Sequence, residues 1–147
     1  MAFRISILED SPQRIEAMRQ CLSQNLPQVP QVHFFESAYQ MIEWLAEHLS
    51  EVVLISLDHD LPLLDVNGDS ANFGSGRQVA DYLAALPPTC PVIVHSSNQN
   101  FAPGMVFALM DRGWPVAQVF PCDGEQWIGD AWIDRVMQYV TDGWIDV

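Results

Sequence analysis

Three apolar runs in this 147-residue chain stop at groups that bind cations or move protons. Residues 3–8 run into Glu9-Asp10, Val52–Leu57 into Asp58-His59-Asp60, and residues 92–94 into His95-Ser96-Ser97-Asn98. If Glu9, Asp10, Asp58 and Asp60 converge, carboxylates about 4 Å apart repel by roughly 4 kcal/mol per pair at an effective dielectric of about 20. A cation has to compensate, and oxygen ligands of this kind suit Mg²⁺ or Mn²⁺. Such an ion polarises a phosphoryl oxygen or activates a water, and a neutral imidazole beside it takes or gives a proton near pH 7. His59 and His95 are therefore candidate proton-transfer groups, and Glu9, Asp10, Asp58 and Asp60 the candidate metal ligands.

Each of these residues has a plainer role open to it. Asp10 also suits a helix N-terminus. His95 is either a proton-transfer group or a hydrogen-bonded structural histidine, and His59 either a site residue or a solvated loop residue. Ser96, Ser97 and Asn98 offer hydrogen bonds to a phosphate, or else to a turn and a helix cap.

The elements that must position these groups alternate between strand and helix. Residues 3–8 read as a buried strand. Ser11-Pro12 reads as an N-cap with proline at the first helical position, and Ile15, Met18, Leu22 and Leu26 follow at helical spacing until Pro27 and Pro30. Residues 32–35 form a second strand. Ser37-x-x-Gln40 has the pattern of a capping box ahead of Ala38, Met41, Ile42, Leu45 and Leu49 on one face. Val52–Leu57 is apolar and β-branched, as in a strand covered by helices on both sides. Residues 63–76 show no apolar periodicity and form a long loop, of the kind often functional at this end of a sheet. Its Asp65-x-Asn67-x-Asp69 resembles a calcium loop, but Ser70 and Gly76 stand where that loop needs Gly and Glu. Helices marked by Val79, Leu83 and Leu86, by Val106, Leu109 and Met110, and by Ile128, Trp132, Val136 and Val140 separate strands at 92–94 and 116–120. Five βα units predict a three-layer, doubly wound α/β fold with a five-stranded parallel sheet, in one domain over residues 1–147. At the carboxyl ends of such strands a crevice collects residues far apart in sequence.

Composition narrows the partners. The net charge of −13, from 19 acidic and 6 basic residues, repels phosphate backbones and argues against a long nucleic acid. No apolar run reaches the ~18 residues needed to cross a bilayer. Cys21, Cys90 and Cys122 are odd in number and lack CxxC spacing, which fits the cytoplasm. The five tryptophans are scattered and read as packing rather than as a base-stacking platform.

The order of elements and the strand ends resemble the receiver domains of two-component signalling, with their flavodoxin-like fold. In that resemblance Glu9-Asp10 is the acidic pair that holds a divalent ion, Asp58 the phospho-acceptor and so a catalytic candidate beside the two histidines, Asp60 the donor of a main-chain carbonyl to the metal, and Ser96 the switch hydroxyl. Phe120-Pro121 stands where receivers carry Lys-Pro, and the resemblance implies a cis bond there. Phenylalanine cannot neutralise an acyl phosphate. The pairing of Leu57-Asp58-His59-Asp60-Leu61 with His95-Ser96-Ser97-Asn98 is more closely similar to the cyclic-phosphate processing receiver family, which implies Arg14 beside the acidic pair; Arg14, Ser96, Ser97 and Asn98 are the candidate phosphate-binding residues. Opening a cyclic phosphodiester needs a nucleophile on one side and a proton donor for the leaving alcohol, and His59 and His95 could divide that work. The expectation is a metal-dependent domain acting on a small phosphate ester. Two alternatives stand beside it: a stand-alone receiver phosphorylated on Asp58 that meets a protein partner through its fourth and fifth strands, and a non-catalytic pseudo-receiver that only binds proteins.

Overall fold

A computed structural model describes residues 3–28, 30–65, 67–122 and 124–145. The strands form where short apolar runs can be buried on both faces: β1 (Arg4–Leu8), β2 (Gln31–Phe35), β3 (Val52–Leu57), β4 (Val92–His95) and β5 (Val116–Val119). All pairings are parallel, in the order β2-β1-β3-β4-β5. The helices are α1 (Pro12–Asn25), α2 (Ala38–His48), α3 (Gly76–Ala84), α4 (Ala102–Asp111) and α5 (Ile133–Thr141). Alternate strand side chains build two cores. Leu8, Ile55, Leu57, Val92 and Val94 pack with Met41, Leu45, Leu83 and Leu109 of α2 to α4. Ile5, Ile7, Leu54 and Ile93 pack on the other face with Met18 and Leu22 of α1 and with Val136 of α5. Burying one such aliphatic side chain contributes about 1.5–3 kcal/mol, so each sheet face is a substantial source of stability.

The chain crosses from β1 outward to β2 and then returns past β1 to β3, so the winding reverses between β1 and β3. That reversal opens a crevice beyond their carboxyl ends. Register levels the strand ends: Leu8 stands opposite both Phe35 and Leu57, and Leu57 opposite Val94. The residues that follow β1 and β3, and His95 at the tip of β4, therefore emerge at one height.

Local signals behave unevenly. Ser11 caps α1 as its sequence predicts, accepting the Arg14 N–H at 3.4 Å. Ser37 accepts the Gln40 N–H, but the reciprocal capping box lies at Ser75 and Gln78, where the Gln78 side chain returns to the Ser75 N–H at 2.8 Å. The loop before α3 is held by an isolated antiparallel bridge between Leu64 and Ser70. A 3₁₀ turn (Leu49–Glu51) leads into β3, and a π-helical turn (Ile128–Trp132) precedes α5. No peptide bond among the described residues is cis, which corrects the expectation for Phe120-Pro121; trans is the ordinary state of an X–Pro bond, and Phe120 faces solvent at 56% exposure. Among the described residues, no helix is long and apolar enough to cross a membrane.

Candidate metal centre

Glu9 leaves β1 with its backbone still in the sheet, its N–H donating to the Phe35 carbonyl at 2.9 Å. Its side chain is almost fully buried, and Oε2 accepts the N–H groups of Asp10 at 3.0 Å and Ser11 at 3.1 Å. Asp58 is likewise tied to the sheet, its N–H donating to the Leu8 carbonyl at 3.1 Å and its Oδ1 accepting the His59 N–H at 2.8 Å. Gly76 presses α3 against this strand end: its N–H donates to the His59 carbonyl, and a Cβ there would sit 1.8 Å from the Asp58 carbonyl oxygen. One carboxylate oxygen from each of Glu9, Asp10 and Asp58 lies within 4.8 Å of the others. Fixed backbone contacts thus force three acids together.

The electrostatic cost is visible in the protonation equilibria. Burial above all, and Glu9 to a lesser degree, push the Asp58 carboxyl up to about 6, against the pull of the His59 N–H and of Arg14. Asp10 is raised by burial first and by Glu9 second. Glu9 is itself pushed up by burial, but His95, the Ser11 N–H and Arg14 outweigh that and hold it below the usual glutamate range. Arg14 is the one nearby side-chain guanidinium, 3.5 Å from Glu9 Oε1 and 4.0 Å from Asp58 Oδ2, with its other side over the Trp127 ring. With three carboxylates ionised and one arginine opposite, the cluster keeps a net charge of about −2. Glu9 Oε1 is buried without a well-aligned hydrogen bond. An oxygen donor left free in a doubly negative, partly closed site fits a hard divalent cation. Beside it opens a cavity of about 270 Å³ lined by Glu9, Asp10, Ile15, Phe34, Phe35, Glu36 and Gln40.

The remaining candidates divide into two groups. His59, next to Asp58 in the chain, is nearly buried, its ring stacked on that of Phe101 at 4.6 Å with the planes 4° apart. Its Nδ1 is 2.9 Å from Asp60 Oδ1, so Nδ1–H donates there and Nε2 is left as the acceptor. The Asp60 carboxylate also accepts from Asn98 Nδ2 at 3.2 Å. It therefore does not join the three acids as a carboxylate ligand: its side chain is 67% exposed and serves His59 and Asn98 instead. Asn98 Oδ1 meanwhile accepts the N–H groups of Asn100 and Phe101 ahead of α4. Ser96 is buried and accepts the Asn98 N–H at 3.1 Å, whereas Ser97 is exposed. Of the four expected phosphate ligands, only Arg14 has side-chain contacts to the acidic cluster.

His95 departs furthest from its expected role. It is fully buried, its Nδ1 2.6 Å from Ser56 Oγ and its Nε2 3.3 Å from Glu9 Oε1. It cannot face a substrate from there.

The sequence profile of the cyclic-phosphate processing receiver domain matches residues 7–111. The chain belongs to that family. Several solved receivers share the fold. A response regulator receiver domain from Rhodospirillum rubrum aligns over 98% of this chain and 96% of its own, with a TM-score of 0.66 and 14% identity. The response regulator domain of Thermotoga maritima CheB aligns over 100% of both chains, with a TM-score of 0.67 and 15% identity. No curated protein matches the chain.

Within this receiver fold the departure at Phe120 is complete. The six basic residues are Arg4, Arg14, Arg19, Arg77, Arg112 and Arg135, so the chain contains no lysine at all. Four residues that build the site escaped sequence reasoning. Ser56 was legible as the lone hydroxyl in the apolar run of β3. Trp132, Phe101 and Gly76 carried no local signal, because their partners lie across the fold.

Proposed function

We propose that this receiver-like domain is a metal-dependent phosphoesterase whose substrate is a small phosphate ester, most readily a cyclic phosphate. The observation that carries the reading is the doubly negative carboxylate cluster of Glu9, Asp10 and Asp58 at the sheet's switch point, flanked by His59. Receivers hold Mg²⁺ at an acidic pocket of this kind, and Mg²⁺ or Mn²⁺ suits the oxygen donors here. When bound, the ion supplies Lewis acidity toward a phosphoryl oxygen. Glu9, Asp10 and Asp58 are the residues to hold it.

His59 is the proton carrier. Its Nδ1–H is committed to Asp60, which leaves Nε2 to take a proton from the attacking water as the new O–P bond forms. The ring P–O bond breaks, and the same proton passes from Nε2 to the released alkoxide. Arg14 orients the phosphate, and the adjoining 270 Å³ cavity is of a size for the rest of a small ligand. The net charge of −13 disfavours long nucleic acids, and three free cysteines fit the cytoplasm.

A second reading has its own support. Asp58 lies at the end of β3 in a receiver fold, and Phe101, Phe107, Met110 and Phe120 expose apolar surface around α4 and the end of β5, as a phosphorylated module with a protein partner there requires. One experiment separates the two. The protein is incubated with Mg²⁺ or Mn²⁺ and a panel of 2′,3′- and 3′,5′-cyclic nucleotides and cyclic-phosphate-ended oligonucleotides, and in parallel with acetyl phosphate. Metal-dependent ring opening with little modification of Asp58 is the expected result. No turnover on any substrate, together with stoichiometric phosphorylation of Asp58, overturns the enzyme reading.

A further inference from the structure

We propose that His95 is a positioning residue, fixed by a buried hydrogen-bond line from Trp132 through Ser56 so that its Nε2–H holds Glu9 Oε1 toward the metal. This deepens the metal reading of Glu9, Asp10 and Asp58 and rests on it. Trp132, Ser56 and His95 are fully buried and Glu9 nearly so, and they come from the π-helical turn, β3, β4 and the end of β1. The first bond has one possible direction, and the second follows because Ser56 Oγ has no other partner among the described residues to take its proton. An indole N–H can only donate, so at 3.1 Å Trp132 Nε1 gives its hydrogen to Ser56 Oγ. The Ser56 hydroxyl then directs its own proton to His95 Nδ1 at 2.6 Å. Nδ1 is the acceptor, so the ring proton sits on Nε2. Nε2 in turn faces Glu9 Oε1 at 3.3 Å.

The opposite tautomer is disfavoured twice. It strands the Ser56 proton without an acceptor, at a cost of about 1–3 kcal/mol for a buried group, and it turns a nitrogen lone pair toward a carboxylate. The ring plane is also set from outside the line, because Trp127 stacks on His95 at 5.9 Å between centroids. The π-helical turn matters here: such widened turns recur at functional sites, and this one ends on the tryptophan that starts the line.

A purely structural role explains the burial less well. A serine and a histidine within two otherwise apolar strands cost desolvation that aliphatic side chains of similar size avoid. The last contact, moreover, is unfinished without a ligand, since His95 Nε2 and Glu9 Oε1 face each other out of line and neither makes another well-aligned hydrogen bond. A carboxylate that ligates a metal is commonly held by an outer partner of this kind, whose loss costs roughly 10–100-fold in metal affinity.

The test combines Mn²⁺ titration calorimetry with ¹⁵N spectra of the histidine rings, on wild type and on His95→Phe, His95→Gln, Ser56→Ala and Trp132→Phe. Mn²⁺ affinity is expected to fall roughly 10–100-fold in His95→Phe and by a smaller factor in Ser56→Ala, although neither side chain is a ligand. His95→Gln, which restores an N–H donor, should recover most of the loss. In metal-free wild type the His95 ring should carry its proton on Nε2, and Ser56→Ala and Trp132→Phe should mix the tautomers. Wild-type Mn²⁺ affinity in both His95→Phe and Ser56→Ala, or a proton on Nδ1, overturns the proposal. If His95→Phe does not fold, His95→Gln, Ser56→Ala and the spectra decide it. Failure of wild type to bind Mn²⁺ instead overturns the metal reading, and the role of His95 falls with it even where the spectra uphold the hydrogen-bond line.

Discussion

The two ends of the sheet carry similar residue types and opposite electrostatics. At the amino end, Arg4 Nε donates to Glu51 at 2.6 Å and Nη1 to His33 Nε2 at 3.0 Å, while Trp44 lies between the rings of His33 and His48 at 4.6 and 4.7 Å. Arg4 and Glu51 there neutralise each other. The Glu51 carboxyl accordingly lies below its ordinary range, chiefly through its bond to Arg4, and His33 is held down by burial and then by Arg4. At the carboxyl end Asp58 and Asp10 are displaced upward, because burial and a neighbouring acid outweigh one arginine. A cluster built for stability satisfies its own charges. The one at the carboxyl end leaves Asp10 and Asp58 raised even though His95, the Ser11 N–H and Arg14 hold Glu9 down, and an acid that stays raised beside its neighbours marks a place for a ligand.

The largest effect that can break this contrast is on turnover. If His59 Nε2 carries the proton, His59→Ala should lower the rate of cyclic-phosphate opening by about 10²–10⁴-fold, with the fold and Mn²⁺ affinity nearly unchanged. His33→Ala, at the self-satisfied end, should leave the rate alone. Equal losses from both substitutions mean that stability, and not chemistry, is being measured.

Next in size is the stability response to pH. Asp58 rises from 3.8 to about 6 in the folded protein, so the native state binds a proton that the unfolded state has released. The stabilisation from that proton is complete below pH ~4 and is lost as pH rises through about 6. Glu9 runs the other way, its contribution fading only below the usual glutamate range. Metal-free Asp58→Asn should therefore be more stable than wild type at pH 8, by up to about 3 kcal/mol, with little difference at pH 4. Mg²⁺ should reverse the order at pH 8 by stabilising only wild type. Thermal melts at the two pH values, with and without Mg²⁺, check both signs. An Asp58→Asn protein that is no more stable than wild type at pH 8 without metal shows that the acids are not crowded in solution.

How much of this was legible in the sequence depends on which side of a strand end a residue lies. Inside the strands, burial on both faces writes itself as an apolar run, and β1, β3 and β4 were readable to within a residue. Beyond the ends, side-chain direction follows contacts that no periodicity encodes. Asp58 and Asp60 are two residues apart, yet one turns to Glu9 and the other to Asn98. His59 and His95 looked interchangeable, but His95 is fully buried, stacked on Trp127 and bonded to the serine that Trp132 holds, both tryptophans lying more than thirty positions past it. The capping box was misplaced for a related reason. Ser37-x-x-Gln40 and Ser75-x-x-Gln78 share one pattern, and only the second has its glutamine turned back to the helix start.

The smallest expected effect sharpens the comparison by being nearly absent. Arg4→Gln removes the cation that pairs with Glu51 and His33, in a cluster that is partly solvent-exposed and far along β1 from Glu9. Exposed ion pairs add little to stability, so the melting temperature should fall by at most roughly 2–4 °C. Mn²⁺ affinity should not change, because the metal site draws its counter-charge from Arg14 and not from Arg4. Arg14→Gln provides the contrast. It should deepen the negative potential at Glu9 and Asp58, tightening Mn²⁺ while weakening a bound phosphate ester. If Arg4→Gln alters Mn²⁺ binding as much as Arg14→Gln does, the two ends of the sheet are coupled through β1, and the division between a self-satisfied cluster and a ligand-ready one fails.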